Sequence, residues 1–218
     1  MTVEPPEPPR EPDLPASLEP AGPDDVLRER RLEGCNLTGL DLAGTPLYGL
    51  RLRECRLDDV DLSGANVTGL DVADVKAIDG SWANTIATEA TLVRLEARGL
   101  RGTGAVLSEA TLTDCAFEDC RFDLAPFRHA RLERVAFRNC RLEEADFYGA
   151  TLVSVRFETC VMSGASIEGA TFDRCELRDC ELSEITGAER LRGVRMPWPD
   201  VVQIAGLLAA ATGIAVVD

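Results

Sequence analysis

Residues 107–152 read LSEATLTDCAFEDCRFDLAPFRHARLERVAFRNCRLEEADFYGATL. Leu107, Leu112, Phe117, Phe122, Phe127, Leu132, Phe137, Leu142, Phe147 and Leu152 recur every fifth residue. Two positions before each of the later ones stands a smaller residue: Ala110, Cys115, Cys120, Ala125, Ala130, Val135, Cys140, Ala145 and Ala150. A strict period of five matches neither the helical 3.6 nor the strand period of two. On an extended segment, residues two apart point to the same side. Each small-x-large-x-x unit therefore buries one pair, and the next two residues must turn the chain so that the following pair also faces inward. Strand and corner repeated in this way wind a solenoid whose coils stack by backbone hydrogen bonds.

The phase extends in both directions. It runs back through Val72, Val67, Leu62, Leu57, Leu52, Leu47, Leu42 and Leu37 to Leu32, and forward through Phe157, Met162, Ile167, Phe172 and Leu177 to Leu182, 31 units in all. Eleven of the 18 glycines, among them Gly34, Gly39, Gly64, Gly149 and Gly169, fill the last position of a unit, where a tight corner calls for unusual φ. Between Val72 and Leu107 the large column weakens to Ala77, Trp82, Ala87, Ala97 and Gly102, with Leu92 the exception. Because the phase agrees on both sides of this gap, residues 76–106 read as continuous coil; the alternative is a protruding, partner-contacting loop.

Units such as Ala145-Asp146-Phe147-Tyr148-Gly149, Ala65-Asn66-Val67-Thr68-Gly69 and Ala170-Thr171-Phe172 resemble the A(D/N)LXX consensus of pentapeptide-repeat proteins. The resemblance covers about residues 30–184 and implies an all-β, right-handed quadrilateral β-helix with four pentapeptides per coil. The chain departs from the consensus where Arg51, Arg56, Arg121, Arg131, Arg141 and Arg156 replace the polar acid or amide before the large residue. The expected boundaries are a disordered Pro/Glu-rich tail over 1–28, the β-helix over 29–187, and a C-terminal cap over 188–218.

The tail expectation rests on composition: residues 1–25 hold eight of the twelve prolines and no apolar run. At the other end, Pro199 and Asp200 suit a helix start and Gly213 a helix end, predicting a short capping helix over about 199–212. Val201, Val202, Ile204, Ala205, Leu207 and Leu208 make it apolar nearly all round, more than a cap needs, and are the candidate cap and homodimer interface. The stretch is too short for a membrane span. All eight cysteines obey the small inward column and read as small hydrophobes. Unpaired thiols in that number point to a reducing, cytoplasmic setting.

No cofactor, metal or catalytic constellation is legible. His129 is the one histidine and falls in a corner, no Ser or Cys stands in a recognisable nucleophile motif, and the chain reads as non-enzymatic. Net charge is −15, which disfavours direct binding to nucleic acid or anionic membrane and favours basic partners. Two binding readings follow. One is a protein–protein interaction scaffold of unspecified partner. The other, implied by the resemblance, is a DNA mimic that modulates DNA gyrase or topoisomerase IV and protects against quinolones or similar poisons. Asp58, Asp59, Asp79, Glu118, Asp119, Glu158 and Asp179 form the candidate acidic stripe.

Overall fold

The computed structural model of the chain describes residues 4–215. Its strands are β1 (Glu19–Pro20), β2 (Arg31–Glu33), β3 (Cys35–Thr38), β4 (Arg51–Asp58), β5 (Asp71–Ile78), β6 (Thr91–Arg98), β7 (Thr111–Glu118), β8 (Arg131–Arg138), β9 (Thr151–Val153), β10 (Arg156–Glu158), β11 (Thr171–Asp173) and β12 (Glu176–Arg178). From β2 onward every pairing between strands is parallel and offset by 20 residues, as in Leu52↔Val72, Leu112↔Leu132 and Phe157↔Leu177. Four five-residue units therefore close one coil of a right-handed β-solenoid. The first side centres on Leu32 and Leu52, the second on Leu37 and Leu57, the third on Leu42 and Leu62, the fourth on Leu47 and Val67. Strands β4–β8 run across the first and second sides, whereas the third and fourth are joined by isolated bridges such as Asp41↔Asp61 and Pro46↔Asn66, in the same register.

Both inward columns form one continuous core. In the aromatic half the rings stack on coil neighbours, Phe117 on Phe137 at 5.0 Å, Phe137 on Phe157 at 5.1 Å and Phe127 on Phe147 at 4.8 Å, and meet adjacent sides edge-on. The weak stretch stays in register: Lys76↔Glu96 and Ile86↔Val106 pair like the rest, and residues 76–106 form continuous coil. The column is thin there because its neighbours are bulky. A Cβ on Gly102 would lie 2.6 Å from the ring of Phe122, one coil on, and Trp82, one coil back, is buried.

The last residue of each of the 31 units has positive φ, and twenty of these are not glycine, from Glu54 (φ 51°) to Glu184 (φ 57°). At the corners after the third and fourth sides the turn closes with a hydrogen bond, as from Thr45 N–H to Leu42 O at 3.2 Å and Leu50 N–H to Leu47 O at 3.1 Å.

Both ends are covered. Helix α1 (Pro23–Glu29) inserts the fully buried Val26 into the first coil. At the other end α2 (Trp198–Gln203) and α3 (Ala205–Ala211) replace the single expected helix, broken at Ile204, whose side chain is buried on the core. Residues 216–218 of the expected cap lie outside the described residues, as do residues 1–3 of the tail.

Composition suggests a disordered tail, but residues 4–22 run as an extended strap along the corner between the first and second sides. β1 pairs with β3 on the first coil. Farther along, Asp13 N–H donates to Asp74 Oδ1 (3.1 Å), Arg10 N–H donates to Asp114 Oδ1 (3.2 Å), and Glu7 lies 3.7 Å from Arg174. The difference arises because proline pre-extends the chain and lowers the entropy cost of laying it down.

Candidate partner-binding surface

The seven stripe acids fall where the repeat puts them, on the outward edge of the second side. Asp59, Asp79, Asp119 and Asp179 occupy one corner column, interrupted by Gly99, Asn139 and Thr159. Asp58, Glu118 and Glu158 occupy the column beside it, where Arg98, Arg138 and Arg178 alternate with them. Neighbouring bases take up much of the charge. Arg56 pairs with Asp58 (2.7 Å), Arg98 with Asp119 (3.5 Å) and Arg138 with Glu158 (3.3 Å), and Asn139 donates to Asp119 at 2.6 Å. The stripe is brought together as a place, but its field is broken.

The third and fourth sides differ. Together they carry eleven acids against Arg101, Arg121, Arg128 and Arg141. Arg141 serves Asp123 and Glu143, and Arg128 serves Asp146. Among the described residues no ion pair reaches Asp41, Asp61, Glu89, Glu109, Glu144, Glu168, Glu181 or Glu184; Asp61 is instead held below the usual carboxylate range by hydrogen bonds from Ser63. These two sides form the larger uncompensated negative surface, which sequence columns alone understate because they do not show which acids have partners.

The corner between the first and second sides carries a ladder of acid and guanidinium. Asp74 receives two bonds from Arg94, both at 2.5 Å, and Asp114 receives 2.7 and 3.1 Å bonds from Arg134. The Arg94 guanidinium, then the strap N–H of Asp13, hold the Asp74 carboxyl below its ordinary value against the opposing effect of burial. Burial acts most strongly on Asp114 and pushes it up, but Arg134 and the Arg10 N–H outweigh burial and leave it depressed.

Seven of the eight thiols donate to a main-chain carbonyl of the preceding coil: Cys115 to Leu92 O (3.4 Å), Cys140 to Phe117 O (3.4 Å), Cys160 to Phe137 O (3.4 Å), with Cys55, Cys120, Cys175 and Cys180 alike. All lie just beyond the corners of the first and second sides. Thr85 does the same at the corner after the third side, giving its hydroxyl to Leu62 O at 2.7 Å. The cysteines are thus buried donors as well as small fillers, a role visible in the sequence only as their confinement to two of the four sides. Burial pushes Cys115 up to about 12 and Cys55 and Cys175 to about 11, keeping them protonated.

At the C-terminal end, Ile204 is buried and Leu207 and Leu208 pack half-buried on the core, while Val201 is half-buried and Val202 and Ala205 are exposed. Trp198 and Ile214 add exposed apolar area, 75% and 61% accessible. Among the described residues no group of three or more His, Cys, Asp or Glu could hold a metal, and no helix is long and apolar enough to cross a membrane. His129 sits at a corner with its ring edge-on to Tyr148, 5.6 Å away.

Such a molecule is a repeat solenoid whose walls are its main exposed surfaces. The chain belongs to the pentapeptide-repeat family: residues 110–187 match the family profile described as pentapeptide repeat region, and residues 31–69 match that described as pentapeptide repeats (8 copies). No curated protein sequence matches the chain. Among solved structures, it is similar to full-length QnrB1, described as a plasmid-mediated fluoroquinolone resistance protein, at 15% identity over 79% of this chain and 99% of that one, TM-score 0.40. A trypsin-treated QnrB1 variant gives 20% identity over 86% and 90%, TM-score 0.35. HetL from the cyanobacterium Nostoc, described as a pentapeptide-repeat protein involved in heterocyst differentiation regulation, gives 17% identity over 82% and 98%, TM-score 0.24.

Proposed function

We propose that this protein acts by presenting its acidic third and fourth sides to a basic protein surface, and that this surface is the DNA-binding face of a type II topoisomerase, DNA gyrase before topoisomerase IV. The observation that carries the reading is the set of eight unpaired carboxylates on those two sides, spread over about eight coils and clear of the strap. Double-stranded DNA presents phosphates along a rod, and a regular acidic rod meets the same basic surface without offering a base to read. The family resemblance supplies the target class. The exposed apolar end, with Trp198, Val202 and Ala205, fits pairing of two copies end to end, which doubles the rod. Free buried thiols suit a cytoplasmic location. A second reading, a scaffold for some other partner, is favoured by the arginines that break the second-side stripe.

The deciding measurement is gyrase supercoiling with the purified protein, with and without a quinolone. We expect inhibition or drug protection. Reversing Glu89, Glu109, Glu144 and Glu168 to Lys should remove the effect at least tenfold, whereas reversing Asp58, Asp59, Glu118 and Asp119 should weaken it less. If the unaltered protein does nothing at large molar excess, gyrase is eliminated and the scaffold reading stands.

A further inference from the structure

The strap and the wall beneath it are matched in period. An extended proline-rich chain rises about 3.1 Å per residue, so three residues span about 9.3 Å. Two coils span about 9.6 Å. Asp13 and Arg10 are three residues apart, and their N–H groups meet Asp74 and Asp114, two coils apart on one corner column. The wall thus offers a carboxylate acceptor at the spacing at which an extended proline-rich peptide offers a free N–H. Each acceptor is fixed in place by an arginine on the next coil, so it does not need ordering when a peptide arrives.

The strap fits this groove imperfectly. Between Pro8, Pro9 and Pro12 above and the wall below lies a cavity of about 330 Å³. Its floor includes Ala116 and Ala136, two small outward residues between Glu96 and Arg156 in the same column. Near the far end, Arg156 Nε and Ser154 Oγ are buried with no hydrogen-bond partner among the described residues, while Arg174 is already met by Asp173 and by Glu7 of the strap. The groove therefore has space and donors that its present occupant leaves unused.

We propose that this groove is a docking site for an extended, acidic, proline-rich peptide, and that the chain's own strap occupies it as an intramolecular competitor. A displacing peptide would satisfy the same two carboxylates through its backbone, place a larger apolar side chain over the alanines, bring an acid to Arg156 and take the place of Glu7 at Arg174. The site lies on the opposite corner of the rod from the acidic third and fourth sides, so it stands or falls independently of the topoisomerase reading.

The test uses the full chain. Arg10→Pro with Asp13→Pro removes both N–H donors from the strap and touches nothing in the solenoid. A fluorescent synthetic peptide of residues 4–20 is titrated by anisotropy against the unaltered chain and this variant. The expected result is binding to the variant at least tenfold tighter than to the unaltered chain, and no binding of a peptide carrying the same two prolines. Equal binding to both proteins, no binding to the variant, or full binding by the doubly substituted peptide would each overturn the proposal. Amide exchange on the unaltered chain gives a second readout: the Arg10 and Asp13 N–H groups should exchange at least tenfold more slowly than that of Glu11, and equal rates would count against it.

Discussion

Corner residues show how one position can be legible in the sequence while its energetics are not. Eleven glycines marked the corner, but twenty other corners reach the same left-handed φ with ordinary side chains, eight of them Asp or Asn. Asp and Asn tolerate that region through local hydrogen bonding, whereas a branched apolar residue gains nothing there. Leu124, at φ 59° and 56% exposed, bears the strain without a packing return. Leu124→Gly should therefore raise stability by roughly 0.5–1 kcal/mol, the relief of left-handed strain less the added freedom of the unfolded chain. Gly39→Ala, with open space around its Cβ, should lower it by a similar amount; urea denaturation midpoints compare the two.

The thiols make a second residue-scale case. Cysteine types in the small column foretold burial, and the structure adds the hydrogen bond to a carbonyl of the preceding coil, which cannot be seen in a five-residue pattern because its partner lies 23 residues away. Removing the donor from Cys140 with Cys140→Ala should cost about 1–3 kcal/mol, from lost packing and the lost hydrogen bond to the Phe117 carbonyl. Cys140→Ser should recover part of that loss, as Thr85 already performs the same task with a hydroxyl. In the native protein a thiol reagent near neutral pH should label Cys35, the one half-exposed cysteine, and spare the buried seven.

At the scale of elements, the strands were legible and the additions to them were not. Binary columns specify which residues face inward, hence the sides and their 20-residue register. They say nothing of where a proline-rich segment will lie, because its contacts are backbone N–H groups meeting carboxylates 61 and 104 residues away. Helix α1 did leave a signal: Pro23 opens it, Asp24 and Asp25 follow in its first turn, and Arg28 stands in its last. Its brevity and its proline-rich surroundings hid that signal.

The corner ladder beneath the strap gives stability a pH dependence. Asp74 and Asp114 have depressed values in the folded state. The stabilisation they supply is therefore present above the ordinary carboxylate range and is lost as pH falls through their folded values. Thermal midpoints should be nearly level from pH 7 to about 5 and decline below about 4. Asp114→Asn should cost about 2–4 kcal/mol at pH 7, because it leaves the largely buried Arg134 without its bidentate partner. The gap between variant and parent should narrow only as pH falls through the depressed folded value of the parent carboxyl.

On the whole-molecule scale, counting puts the seven stripe acids in two adjacent columns, but it does not foresee the arginines that pair with them. Whether a guanidinium pairs with the acid one coil above or points away depends on side-chain packing along the rod. The same limit applies at the C-terminal end. A helix apolar on every side was readable, but its break at Ile204 decides which residues cap and which stay bare. Ile204, Leu207 and Leu208 turn inward, leaving Trp198, Val202 and Ile214 exposed. Light scattering should give twice the chain mass at micromolar concentration, and Val202→Glu should return it to the single-chain value without lowering the thermal midpoint. A single-chain mass for the parent protein would remove end-to-end pairing.

The 20-residue bridge register also bears on how such a gene can change length. Inserting or deleting one codon within the coils would rotate every downstream residue out of its column, exchanging inward phenylalanines for outward acids and corner glycines for strand residues. Five codons restore the columns but move each later unit to a different side, so stacked rings and corner bonds meet new neighbours. Only the duplication or loss of 20 codons returns every side chain to its own kind of place. The lineage of this chain can lengthen or shorten its rod freely, but only in whole coils.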